Sequence, residues 1–151
     1  MDFRFRVNDG EFKVNTMSRT ALITGGSSGL GLEMARQLKA KDYNLILVAR
    51  DAKKLSNVAE QLALQPGNGS IRTIACDVSD EEAIEAAFKT ELKADESIDF
   101  LVVNAGITTI DLLKDYENVS AITRDLKVNL LGAIATTYPV SYTHLRAHET
   151  S

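Results

Sequence analysis

The sequence predicts an α/β fold built on a doubly wound parallel sheet, and two observations carry that prediction. Four short apolar runs rich in β-branched residues, at 21–24, 44–49, 71–76 and 100–104, lack a helical stripe and read as buried strands. Between them, apolar residues recur with helical period: Leu30, Met34, Ala35 and Leu38, then Leu55, Val58 and Leu62, then Ile84, Ala87, Phe88 and Leu92. Strand and helix alternate at roughly 25-residue intervals, which calls for right-handed crossovers and a parallel sheet covered on both faces.

Each element has its own punctuation. The first strand ends in Thr24-Gly25-Gly26-Ser27-Ser28-Gly29-Leu30-Gly31, a glycine-rich turn that opens the first helix. Asp51 sits where the second helix needs an N-cap, and Gln65-Pro66-Gly67-Asn68-Gly69 stops that helix. Ser79 stands at the corresponding N-cap position of the third helix. A last helix is expected from near Ser120 towards Thr137, with Ile122, Leu126, Leu130, Ala133, Ile134 and Thr137 on one face. Asn129 falls on the same face, and a polar side chain there costs free energy unless it is hydrogen-bonded.

Composition removes several classes of function. The 151 residues are 44% hydrophobic and 25% charged, within the range of a single globular domain and outside that of disordered or collagen-like chains. No run approaches the roughly 20 apolar residues of a membrane span, and the first ten residues lack the apolar centre of a signal peptide, so a cytoplasmic location is expected. A single cysteine, Cys76, forbids an internal disulfide and reads as a small buried hydrophobe. His144 and His148 are the only histidines, so no metal site is expected. With 17 basic against 21 acidic side chains, nucleic acid is a poor partner.

The glycine turn carries the chemistry. Glycines permit a tight turn and let backbone N–H groups approach a pyrophosphate, while the helix N-terminus adds partial positive charge. Its spacing resembles the Thr-Gly-x-x-x-Gly-x-Gly of the short-chain dehydrogenase/reductase family. Three further islands match that family in order: Cys76-Asp77-Val78, Asn104-Ala105-Gly106 and Val128-Asn129-Leu130-Leu131-Gly132. The resemblance covers roughly residues 19 to 138. It implies the N-terminal, cofactor-binding half of a Rossmann fold, strand order 3-2-1-4, and a cofactor held by Gly25, Ser27, Ser28, Gly29, Leu30 and Gly31. It further implies that Asp77 and Val78 meet the adenine, and that Asn104, Ala105 and Gly106 stabilise the sheet beside the cofactor. Asn129 resembles the family's catalytic asparagine, which sits at a helix irregularity and holds a water in the proton relay.

Cofactor choice turns on the end of the second strand, Leu47-Val48-Ala49-Arg50-Asp51. An acid there binds the ribose diol of NAD, whereas an arginine suits the 2′-phosphate of NADP. Ala49 holds the strand-terminal position and Arg50 follows, so NADP is expected over NAD; Asp51 is at a ribose-binding distance from the glycines but also at the N-cap. The family's serine, tyrosine and lysine do not occur at family spacing. The resemblance therefore implies an NADP-dependent carbonyl reductase or alcohol dehydrogenase, homo-oligomeric and acting on small molecules, present as a fragment without activity of its own. The alternative is a non-catalytic NADP-binding or regulatory protein.

The ends stand apart. Residues 1–16 have mixed charge and no period, and Met17 reads as the native start of a domain spanning 17–139. Residues 140–150 (VSYTHLRAHET) resemble one reading frame of a common transposase-type sequencing adapter, so 140–151 is expected to be an artefactual tail.

Overall fold

The computed structural model describes residues 19–93, 96–108 and 119–149, with side chains up to residue 141; the expected extension at 1–16 lies outside the described residues. The four apolar runs form strands β1 (Thr20–Thr24), β2 (Asn44–Ala49), β3 (Ile71–Ala75) and β4 (Phe100–Val102) of one sheet. Their order is β3-β2-β1-β4, as expected, and every pairing is parallel. Alternation along the strands divides the core. Ala21, Ile23, Leu45 and Leu47 face one side, packing with Leu55, Val58 and Leu62 of α2 (Ala52–Ala63). Leu22, Ile46, Val48 and Ile74 face the other, with Ile84 and Phe88 of α3 (Glu81–Glu91). Burial on both faces is why these strands are continuous apolar runs.

Helix α1 (Gly29–Lys39) turns Ala35 and Leu38 of its expected stripe to the core but leaves Leu30 72% and Met34 41% exposed. The buried positions are Gly31, Ala35 and Lys39. Gly31 sets this rotation: a Cβ there would lie 2.5 Å from the Gly25 carbonyl oxygen, so the helix turns its smallest side chain to the tightest contact. Lys39 is buried with its ammonium donating to the Gly67 carbonyl.

Three smaller expectations also shift. Strand β4 stops at Val102 rather than residue 104, because the N–H groups of Asn104 and Ala105 turn onto the Thr24 hydroxyl, each at 3.1 Å. β3 ends at Ala75, one residue short of Cys76. The N-cap of α3 is Asp80, whose carboxylate accepts from the Ala83 N–H at 3.0 Å; Ser79 instead donates back to Asp77. Asp51 caps α2 as expected, accepting from the Lys54 N–H at 2.9 Å.

The last helix is broken by a π-helical turn, Lys127–Leu131, between α4 (Val119–Leu126) and α5 (Gly132–Glu149). The expected stripe is not the buried one. Ile122, Leu126, Leu130 and Ile134 are each more than half exposed, while Val128, Gly132, Thr136 and Val140, four residues apart, are buried. A small residue again decides the face: a Cβ on Gly132 would stand 2.8 Å from Val78 Cγ2, so only this face lets α5 settle against Val78. The buried Thr136 hydroxyl donates to the Gly132 carbonyl at 2.7 Å. Among the described residues no helix is long and apolar enough to cross a membrane, and no cluster of potential metal ligands forms.

Candidate cofactor-binding site

A cleft of about 280 Å³ opens at the carboxyl ends of the strands. There the chain leaves β1 towards β2 on one side and reaches β4 on the other, the switch point at which doubly wound sheets bind ligands. Of the residues singled out in the sequence, Gly25, Ser27, Ser28, Arg50, Asp77, Val78, Ala105 and Gly106 line it. Gly29, Leu30 and Gly31 form the first turn of α1 beside it, and Asn104 and Asn129 support its walls from behind.

The glycine turn is held by shape. Gly25 and Gly29 have φ of 68° and 54°, the left-handed region that glycine enters without penalty. The Gly25 N–H donates to the Val48 carbonyl at 2.8 Å, and a Cβ on Gly25 would lie 2.8 Å from Asn104 Nδ2. Asn104 Nδ2 donates to the Thr24 carbonyl at 3.2 Å, and the fully buried Thr24 hydroxyl accepts from the backbone of Asn104 and Ala105. β1 and β4 are thus tied together immediately behind the turn. Ser28 begins α1 with extended backbone and makes no side-chain cap bond, and the first turn of α1 carries no acid. An uncapped helix start with free N–H groups favours an anion.

The opposite end is held by charge. Arg50 Nη1 lies 3.7 Å from Asp77 Oδ2, with both side chains well exposed. Asp77 Oδ1 accepts from the Ser79 N–H at 2.9 Å and the Ser79 hydroxyl at 2.7 Å. Partial burial works to raise the Asp77 pKa, but the two Ser79 bonds and Arg50 outweigh it and hold the carboxyl below its ordinary value. Cys76 lies on the cleft wall with its thiol pKa pushed up by burial and by Asp77 and Asp80, which disfavours the thiolate.

Asn129 sits within the π-helical turn. Its Oδ1 accepts from the Ile107 N–H at 2.8 Å and its Nδ2 donates to the Ile107 carbonyl at 2.7 Å. This pair of bonds pins the segment after β4, and because Asn129 lies on the exposed face its place in the apolar pattern carries no burial cost. Both ends of the amide are engaged by protein.

Sequence reasoning passed over Thr24, Lys54 and Ile107 as site residues. Thr24 stood inside the quoted motif, Ile107 directly follows Gly106, and Lys54 lies one helical turn beyond Arg50, where it lines the cleft.

Known proteins resemble the chain along nearly all of the described part. The family model for short chain dehydrogenase matches residues 19–149. A fatty acyl-CoA reductase of Acinetobacter baylyi is 32% identical over 130 residues, covering 82% of this chain and 41% of that protein. The alcohol dehydrogenase of Thermococcus sibiricus, solved with 5-hydroxy-NADP, superposes with a TM-score of 0.77 at 30% identity, covering 86% of this chain and 55% of that one. A xylitol dehydrogenase solved with NAD+ gives 0.76 at 25% identity, covering 85% of this chain and 48% of that one. The chain therefore spans about half the length of the relatives it matches.

Proposed function

The chain belongs to the short-chain dehydrogenase/reductase family of oxidoreductases, and from that premise we propose that it is the cofactor-binding half of an NADP-dependent carbonyl reductase or alcohol dehydrogenase. The observation that carries the cofactor choice is the end of β2. Ala49 offers no carboxylate to a ribose diol, Asp51 is committed to capping α2, and Arg50 presents its guanidinium to the cleft. Solved relatives with NADP-type and NAD ligands both fit this fold, so the choice rests on these side chains.

The residues fit such a cofactor. In this reading Ser27, Ser28 and the start of α1 hold the pyrophosphate, because the left-handed glycines bring backbone close to the cleft and no side chain occupies the helix start. Asp77 and Val78 flank the adenine, and Arg50 receives the 2′-phosphate, exchanging Asp77 for a stronger anionic partner. Asn129 fixes the Ile107 segment and so acts as a positioning residue. When bound, the nicotinamide supplies or accepts the hydride. Proton transfer at the substrate needs a serine, a tyrosine and a lysine that this chain does not offer at family spacing, so the chain alone turns over no substrate. Cytoplasmic location and homo-oligomeric assembly belong to the same reading, through the family resemblance.

The test is differential binding of NADPH and NADH to the purified protein. NADPH should bind more tightly, and Arg50→Ala should cost it about 1.5–3 kcal/mol while leaving NADH little changed. Equal losses for the two cofactors would overturn the NADP assignment.

A further inference from the structure

We propose that Asn68 is a site of spontaneous covalent modification, at which its side-chain amide cyclises onto the Gly69 backbone nitrogen and opens to a carboxylate that unfastens two connections of the fold. The proposal is independent of the cofactor reading. Asn68-Gly69 is the single Asn-Gly step in the sequence, and it lies in the irregular segment between α2 and β3. Asn68 is exposed, and among the described residues neither its side-chain amide nor the Gly69 N–H makes a hydrogen bond. Gly69 has no Cβ to shield its nitrogen from the amide carbon of the preceding side chain. The Gly69 nitrogen gives up its proton to solvent base and bonds to Asn68 Cγ, while the Cγ–Nδ2 bond breaks and ammonia leaves, closing a succinimide ring. Water then opens the ring at either carbonyl, giving aspartate or, with the main chain rerouted through the side chain, isoaspartate.

The consequence follows from what this segment holds. The Gly67 carbonyl accepts from the buried Lys39 ammonium, the Asn68 N–H donates to Asp42 Oδ1 at 2.7 Å, and Ser70 donates through its N–H and hydroxyl to Asn44 Oδ1 at 2.8 and 2.9 Å. These contacts clasp the segment to the connection from the end of α1 to the start of β2. The fit is close on both sides of Asn68: a Cβ on Gly67 would overlap the Lys39 carbonyl oxygen, and one on Gly69 that of Tyr43. Isoaspartate adds a methylene to a backbone with no slack there. Either product also sets a second carboxylate beside Asp42, whose charge it repels.

The test is ageing of the purified chain at mildly alkaline pH, then trypsin digestion and fragmentation mass spectrometry of the peptide between Lys54 and Arg72, with unaged protein digested alongside. That peptide carries its own control. Asn57 is also exposed but stands inside α2 before the β-branched Val58, whose N–H is committed to the helix. Asn68 should convert to acid at least about tenfold faster than Asn57, because the Val58 nitrogen must first break a helical hydrogen bond. The aged, more acidic fraction separated by ion exchange should melt at least about 2 °C below the unaged protein. Asn68→Gln, whose longer side chain has to close a larger ring, should melt with the unaged original and keep that value after ageing. Equal conversion at Asn57 and Asn68, or none at Asn68, would overturn the modification site. Conversion at Asn68 that leaves the melting temperature unchanged would overturn the part assigned to the clasp.

Discussion

The two ends of the cleft are held by different physics. At the glycine end, backbone and buried polar groups are locked by direct contact: Gly25, Gly31, Thr24 and Asn104 leave no room for one added carbon and few unmade hydrogen bonds. At the Arg50 end, exposed side chains face each other across 3.7 Å and rearrange at little cost. On the proposed reading, the first end holds what every dinucleotide shares, its pyrophosphate, by shape, and the second discriminates between NADP and NAD by charge. Substitutions should expose this division, with large, ligand-independent effects at the glycine end and small, salt- and pH-sensitive ones at the other.

The largest effect is expected at Gly31. A Cβ there meets the Gly25 carbonyl oxygen and Asn104 Nδ2 at 2.5 Å, and the first of these is backbone that cannot swing away. Gly31→Ala should destabilise the fold by about 3 kcal/mol, at the upper end of overpacking costs, and weaken NADPH and NADH alike. Thermal or denaturant unfolding together with the two binding constants checks it. A variant of ordinary stability that loses NADPH selectively would erase the contrast between the ends.

How much of this was legible depended on whether side-chain size or period controls packing. Leu55, Val58 and Leu62 are buried as the period predicts, because α2 meets the sheet through ordinary apolar side chains. In α1 the same rule placed Ala35 and Leu38 correctly but also pointed to Leu30 and Met34, and in the last helical stretch it pointed to Leu126 of α4 and Leu130 of the π-helical turn, and these four are exposed. Gly31 and Gly132 admit closer approach than any leucine, so the buried stripe follows the glycines and a hydrophobicity pattern misassigns the face. The π-helical turn compounds this by changing the phase between α4 and α5. The glycine motif and the positions after each strand could be read directly, since they follow strand ends in sequence. The Arg50–Asp77 pair and the Asn129 bonds to Ile107 depend on groups from separate elements meeting, which no local spacing encodes.

Asn129 should give an intermediate effect, and its two bonds allow a graded test. Asn129→Ala removes both hydrogen bonds to Ile107, a loss of roughly 1–2 kcal/mol at a partly solvated position. Asn129→Asp keeps an acceptor for the Ile107 N–H but sets a carboxylate oxygen against the Ile107 carbonyl. Near neutral pH it should be at least as destabilising as the alanine variant, recovering as acid protonates the carboxyl. Stability curves measured at pH 7 and pH 4 separate the two. An aspartate variant as stable as the original at pH 7 would mean that the Nδ2 bond to Ile107 contributes nothing.

The smallest effect belongs to Asp77, and its sign follows from the direction of its pKa. The folded-state value lies below the ordinary 3.8, because the Ser79 bonds and Arg50 favour the carboxylate by more than burial opposes it. A depressed pKa means that the fold is stabilised by the ionised form. That contribution is complete above the unfolded-state value and is lost as pH falls below about 3.8 and through the folded-state pKa. Asp77→Asn should therefore lower stability at neutral pH and lose its disadvantage in acid, so the two stability curves converge below about pH 4. With the Asp77 side chain 39% exposed, solvent screens the charge and the neutral-pH difference should stay under about 1 kcal/mol. Added salt should shrink the Arg50 part of it further, while the Ser79 part persists. Parallel curves from pH 7 to pH 3 would show that Asp77 titrates as an unperturbed surface acid, and the charge-held end of the cleft would then be organised without it.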